Sequence, residues 1–196
     1  MMAKKTKVID KWKLKNWYSV LAPQLFEHQE IGEVAASDEK QLVNRIIRIG
    51  LNEMIDSGSQ SAFFTTLLFR IINVDGGKAK TMLIGHEISP SYLKTFARRG
   101  KDLVHMVIDG KTKDEQEVRL KVIAVTAGSI SDSTIHSLRK SIVEKVVADT
   151  ATHSYDELMQ DILYGKFVSR LYNELKKITT MRRVEIRKTE KKEVFA

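Results

Sequence analysis

The run Phe63 to Val74 is dense in aromatic and β-branched side chains, and a second such run, Ala79 to Ile88, follows across Asp75-Gly76-Gly77-Lys78. Adjacent glycines adopt the positive φ that a tight hairpin turn needs, so this stretch predicts a long antiparallel hairpin. A second hairpin is predicted from Leu103–Ile108 and Glu117–Thr126, joined through Gly110 to Asp114. In Val118-Arg119-Leu120-Lys121-Val122 the alternation puts the cations on one face and the apolar side chains on the other. Upstream, Trp17 to Ala22 reads as a strand stopped by Pro23, with Trp17 expected to pack on the core, and Glu30 to Val34 as a weaker strand. Gln41 to Ile55 mixes strand and helix signals around Ile46–Ile49, and Ser57-Gly58-Ser59 breaks it. Between the hairpins, Ser89-Pro90 opens a helix with Tyr92, Leu93, Phe96 and Ala97 on its apolar face; it is expected to run to Arg98-Arg99-Gly100-Lys101, with Gly100 as its stop.

At residue 131 the period changes from two to 3.6. Ser131 is a candidate cap, and Ile135, Leu138, Ile142, Val146 and Val147 share one face. Ser154 and Glu157 have capping-box spacing, Gly165 ends or kinks the second helix, and Lys166 to Ile178 continues as a third. Val184 and Ile186 alternate with charge as a short strand, and the tail beyond Thr189 is expected to be free. The fold class expected is α+β: an antiparallel β-barrel core with a middle helix and C-terminal flanking helices. It divides into a basic arm over 1–16, the β core over 17–130, a helical region over 131–180 and a basic C-terminal segment and tail over 181–196.

Charge is where composition enters. The net charge is +8, and the first fifteen residues hold six lysines against one aspartate. An excess so unevenly placed points to a polyanionic partner. Both tryptophans of the chain fall beside those lysines, in Lys11-Trp12-Lys13-Leu14-Lys15-Asn16-Trp17. Rings between ammonium groups suit RNA, where bases stack and phosphates are neutralised. The candidate RNA-contacting residues are Lys4, Lys5, Lys7, Lys11, Trp12, Lys13 and Lys15 in the arm, and Arg98, Arg99 and Lys101 after the middle helix. Lys111, Lys113, Arg119 and Lys121 on the second hairpin and Arg182, Arg183, Arg187 and Lys188 near the end complete the set. Arginine forks suit bidentate phosphate contacts. Arg139, Lys140 and Lys145 read as ordinary solvated surface.

Enzyme chemistry is not expected. There is no cysteine, which removes disulfides, thiolate zinc sites and thiol nucleophiles and fits a reducing cytoplasm. The five histidines show no i, i+4 metal pair, and His86 reads as a structural histidine. No phosphate-binding glycine loop, nucleophile elbow or dinucleotide fingerprint occurs. Asp156, Glu157 and Asp161 are explained by helix capping. No cofactor, metal, small-molecule substrate or membrane partner is expected: no apolar run approaches the ~20 residues of a bilayer span, and no apolar segment follows the basic start as in a signal peptide.

Ordered strings along the chain then point to a family. Lys11-Trp12-Lys13 with Trp17-Tyr18 and Ala22-Pro23, Ile31-Gly32-Glu33, Gly85-His86-Glu87 with Tyr92-Leu93, Thr112-Lys113-Asp114 before Val118 to Lys121, Gly165-Lys166, and Arg182 to Glu190 occur in family order. The chain resembles the S-three-a-e family of small-ribosomal-subunit proteins (eukaryotic-type S-one), in its shorter archaeal form. It departs from the family pattern over Asn52–Gly58, at Thr180 before the arginine pair, and in the loop carrying Gly100. The resemblance implies a non-catalytic structural component of the small subunit, cytoplasmic within the ribosome, on the platform near the messenger exit. The partners it implies are small-subunit rRNA, neighbouring ribosomal proteins, and messenger RNA or initiation factors near the exit. The alternative is a free-standing RNA chaperone or single-stranded RNA-binding protein, which needs an exposed aromatic platform. Phe63, Phe64 and Phe69 are its dense candidates and read as core.

Overall fold

The computed structural model describes residues 12, 15–55 and 61–193. The break expected at Ser57-Gly58-Ser59 therefore lies outside the described residues. The chain is mixed α+β and divides into two compact units, one from residues up to 47 with 70–82, the other from 48–69 and from 83 onward.

In the first unit, β1 (Asn16–Leu21) pairs antiparallel with β2 (Glu30–Ala36), Trp17 opposite Ala35 and Val20 opposite Gly32. Strand alternation sends Tyr18 and Val20 into a core with Ala36, Leu42, Ile71 and Ala79. Trp17 has the opposite parity, so it stands in solvent at 61% exposure, contrary to the expected packing. The long hairpin is present as β4 (Thr65–Asp75) and β5 (Lys78–Ile88), and its turn places Gly76 at φ 55° and Gly77 at φ 83°. The start of β5 pairs parallel with β1, Ser19 to Leu21 against Lys78 to Lys80. The ambiguous segment resolves as β3 (Ile46–Gly50), which pairs with β4, followed by one helical turn, α1 (Leu51–Met54).

In the second unit, β6 (Leu103–Lys111) and β7 (Glu117–Thr126) form the second hairpin, and β8 (Met181–Lys191) lies between β7 and β5. The tail is not free beyond Thr189. Glu190 and Lys191 continue the ladder opposite Arg119 and Val118, and the Lys192 amide donates to the Glu117 carbonyl. Ladder order is β2-β1-β5-β8-β7-β6, with β3 and β4 off this path. Among the described residues no ladder joins β6 to β2, so this is an open eight-stranded sheet and not the closed antiparallel barrel expected; the β1–β5 ladder is also parallel. Adjacent hairpins in sequence gave no sign that a strand 90 residues downstream would enter beside β5.

Three helices follow the change of period. Ser131 caps α3 (Asp132–Thr152), which lies on β6 and buries Leu138, Ile142 and Val146. Ser154 and Glu157 form the capping box of α4 (Tyr155–Leu163), and Gly165, at φ 76°, opens α5 (Lys166–Lys176). Phe167, Leu171 and Leu175 of α5 are buried on its β8 side, and the Tyr172 hydroxyl donates to the Met181 carbonyl. Arg170 ties the three helices by reaching Asp149 and Asp161. The middle helix, α2 (Pro90–Lys94), is shorter than expected. It ends before Thr95, so Arg98, Arg99 and Lys101 sit on a loop and not at a helix terminus.

The β5–β8 ladder is short: Gly85 opposite Glu190, His86 opposite Thr189, Glu87 opposite Lys188. A Cβ at Gly85 would overlap the Thr189 carbonyl oxygen, so only glycine lets the two backbones approach there. His86 closes the seam from its side chain. Nε2 lies 3.0 Å from the Ile186 carbonyl, which can only accept, so Nε2 carries the proton. Nδ1 then accepts from the Thr189 hydroxyl at 2.6 Å, and that oxygen accepts from the His86 amide at 3.1 Å. Burial lowers the ring's pKa from 6.5 to about 4, partly offset by the Ile186 bond and by Glu87. Between those two values the unfolded chain binds the extra proton, so stability declines as pH falls from about 6.5 to about 4. At 1.36 kcal/mol per unit, this histidine alone removes about 3 kcal/mol over that window. We expect urea unfolding of the wild type to lose that much more stability between pH 7 and pH 4 than a His86→Gln variant, in which the carboxylate contributions remain. Equal losses in the two proteins would contradict the neutral-ring assignment.

Candidate nucleic-acid interface

Lys4, Lys5, Lys7, Lys11 and Lys13 lie outside the described residues. In the first unit, Lys15 holds its ammonium 4.3 Å from the centre of the Trp12 ring, a cation–π contact on an exposed indole. Trp17 joins Trp12 as a second exposed ring. Sequence reading assigned Trp17 to the core, although its parity with Tyr18 and Val20 carried the signal.

In the second unit the cations fall into two classes. Arg119, Lys121, Lys188 and Lys192 meet carboxylates on or beside the strands. Arg119 grips Asp109 through Nε and Nη2 at 2.7 and 2.9 Å, directly across the β6–β7 ladder. Lys121 and Lys188 converge on Glu190 at 3.3 and 2.8 Å, and Lys188 also reaches Glu87 at 3.6 Å. Lys192 joins Asp109 and Glu117, both at 3.3 Å. The Arg119 hydrogen bonds hold the Asp109 carboxyl well below the usual carboxylate range, and the Glu190 bond raises Lys188. The face expected to be bare cation is thus a mixed-charge ladder. Arg187 falls at an irregularity of β8, where the register jumps between Lys121–Lys188 and Val122–Ile186; its charge and, more strongly, burial depress His105.

The second class gathers at one end of the sheet. Leu103 opposes Val125 and Val125 opposes Arg183, so the starts of β6 and β8 flank the end of β7. The loop after α2 returns to the same place, where Asp102 and Thr126 exchange backbone and hydroxyl bonds at 3.0 Å. Arg98 and Arg182, 84 positions apart, therefore line one concavity with Thr95, Phe96, Val125 and Arg183. Successive strand residues point to opposite faces, which separates the arginine pair. Arg183 is fixed: its guanidinium lies 4.8 Å from the Phe96 ring centre and 5.2 Å from that of Tyr92, donates to the Tyr92 hydroxyl, and reaches Glu185 at 3.0 Å. Tyr92 in turn stacks on Phe64, ring centres 4.5 Å apart. Arg98, Arg99, Lys101 and Arg182 carry no ion pair to the described residues. Arg98 and Arg182 on one concavity, with Arg99 and Lys101 on the loop that carries Arg98, form a site for phosphate or another oxyanion. The aromatic scaffold under Arg183 was not foreseen, because Phe64, Tyr92 and Phe96 meet only through tertiary structure.

Lys111 and Lys113 occupy the opposite end of the β6–β7 hairpin, Lys111 eight residues along β6 from Leu103. At about 3.4 Å per residue that is roughly 27 Å, so they do not join the first cluster. Lys140 and Lys145 pair with Glu144 and Asp149 on α3. Of the three phenylalanines, Phe69 is buried as expected, whereas Phe63 and Phe64 are exposed at 67% and 38%, against the core reading; Phe64 stacks one face on Tyr92. Among the described residues no cluster of three or more His, Asp or Glu could hold a metal, and no helix is long and apolar enough to cross a membrane.

Comparison with known proteins gives a consistent result. The model of the Ribosomal S3Ae family matches residues 3–193. Small ribosomal subunit protein eS1 of Sulfurisphaera tokodaii is 34% identical over 188 residues, covering 96% of both chains. The protein of that name from Methanobrevibacter smithii is 36% identical over 183 residues, 93% of this chain and 94% of the other. That of Saccharolobus islandicus is 32% identical over 189 residues, 96% and 90%.

The sorting of cations is open to direct test on an RNA homopolymer. Replacing Arg98 and Arg182 together by Gln is expected to lower affinity and to flatten the log–log salt dependence by roughly 0.7 per arginine. Replacing Arg119 and Lys121 is expected to leave that slope within its error. Equal slopes for the two double variants would contradict the sorting.

Proposed function

Because the chain belongs to the Ribosomal S3Ae family, we propose that it is a structural constituent of the small ribosomal subunit, without catalytic activity, working in translation and located with the ribosome in the cytoplasm. Its partners in this reading are small-subunit rRNA and neighbouring ribosomal proteins. The observation that carries RNA contact is the meeting of Arg98 and Arg182 on one concavity, with Arg99 and Lys101 on the adjoining loop, while Arg119, Lys121 and Lys188 are matched by carboxylates. That end of the sheet grips phosphates. The lysines of the 1–16 arm make a second contact with Trp12 and Trp17 as stacking rings, and Lys111 and Lys113 a third. Contacts at both ends and several loops suit a protein embedded in a large folded RNA. The site on the platform near the messenger exit, with messenger RNA or initiation factors alongside, is the finer part of the proposal and rests on the family resemblance. A free-standing single-strand binder fits less well: Phe69 is buried, and the exposed Phe63 and Phe64 sit on the turn before β4 and not on the sheet face, with one face of Phe64 stacked on Tyr92.

Sucrose-gradient sedimentation of cell lysate tests the assignment. Co-migration with small subunits that persists at moderate salt and weakens only at high salt is expected of a phosphate-anchored component. Migration as a free chain at moderate salt would overturn it.

A further inference from the structure

Beside the arginine-lined end, the second unit contains a pocket that phosphate chemistry does not use. Its volume is about 140 Å³, its wall includes Ile88, Ile162, Val168 and Ile186, and Tyr164 stands at its rim with 59% exposure. A cavity of about 150 Å³ admits a benzene-sized ring, and this pocket also opens to solvent beside Tyr164, which leaves room for part of a larger base at the rim. His86 lines the pocket but offers it nothing, since both ring nitrogens are already bonded. The polar anchor is Glu185. Its Oε1 accepts from Arg183 Nε at 3.0 Å, and its Oε2 meets no donor among the described residues. The side chain is only 14% exposed, so this is a sheltered ionisable acceptor in a wall where Ser61 and Thr65 stand beside the aliphatic side chains.

We propose that this pocket takes an unpaired guanine of the RNA, an inference that rests on the rRNA-binding reading above. A sheltered carboxylate in a narrow slot selects a flat ligand that presents two adjacent donors. Guanine does so with N1–H and the N2 amino group. Adenine and cytosine pair one amino donor with a ring nitrogen whose lone pair would face the second carboxylate oxygen, and uracil sets its single N–H between two carbonyls. Extruded bases read on their Watson–Crick edge and stacked on an aromatic ring are the usual currency of RNA recognition, and Tyr164 supplies the ring. The backbone has a route out: Val168 also lines the neighbouring groove that holds Ser169, Asn173 and Arg182, where the phosphate of the same nucleotide meets a guanidinium. A cationic side chain from a protein neighbour fits less well, because Arg183 already matches the Glu185 charge and Arg182 adds a further positive charge near the mouth.

The test uses small subunits carrying the wild-type or the Glu185→Gln chain, a change that keeps the Arg183 contact and reverses one donor–acceptor match. Kethoxal modifies the N1–N2 edge of accessible guanine. With the variant still co-sedimenting, one guanine silent in wild-type subunits is expected to become about ten-fold more reactive, as the loss of a bidentate pair predicts. An unchanged guanine pattern with the chain in place overturns the pocket and leaves the ribosomal reading intact, including the case where the variant loosens a protein neighbour instead. Should the chain not sediment with subunits, the ribosomal reading fails, and saturation-transfer NMR on the purified chain decides the pocket. Guanosine monophosphate is expected to give a signal that adenosine monophosphate does not and that Glu185→Gln abolishes; equal signals from the two nucleotides overturn it.

Discussion

The seam between β5 and β8 is the constraint on which the second unit depends. It has only three residue pairs, yet it admits an eleven-residue strand from near the end of the chain between two hairpins distant in sequence. Gly85 makes the approach possible by having no Cβ, and His86 fastens it by placing a neutral imidazole between a hydroxyl and a carbonyl. A charged ring could not accept from Thr189, and burial keeps the ring neutral. With β8 seated, its start lies beside the end of β7, and the arginine at 182 arrives where the loop after α2 carries Arg98.

Position on the sheet decides what each cation can do. On the strands a cation stands about 5 Å from the side chains across the ladder, and this chain has set Asp109 opposite Arg119 and Glu87 opposite Lys188, with Glu190 within reach of Lys121 and Glu117 within reach of Lys192. These exposed pairs add little to stability. Their consequence is that the middle of the sheet has little net field, while its Arg98–Arg182 end retains one. Arg183 belongs to neither class: it lines the concavity of Arg98 and Arg182 but is held against Tyr92, Phe96 and Glu185.

Much of the local structure was legible, because it follows from short-range rules. The glycine turn, the Ser131 cap, the Ser154 capping box and the break at Gly165 each depend on a few neighbouring residues, and each is present. What depends on register or on distant partners was not legible. Nothing in Val118 to Val122 tells that Asp109 will face Arg119, and nothing in the two hairpins tells that β8 will separate them and leave the sheet open. Trp17 is the exception: its parity with Tyr18 was in plain view, and the general tendency of tryptophan to pack drew the reading the wrong way. For the site, sequence named both halves of the arginine cluster but could not join them, and it had no means of placing Glu185 in a pocket wall.

The central claim is that charge is available at one end of the sheet and matched along its middle. Ultraviolet crosslinking of intact small subunits, followed by mass spectrometry of the peptide–nucleotide adducts, reads this most directly. The account predicts adducts in the peptides that carry Arg98 to Lys101 and Arg182, and none in the peptide that carries Arg119 and Lys121. Adducts concentrated on Arg119 and Lys121, with the Arg98 and Arg182 peptides unmodified, would contradict it.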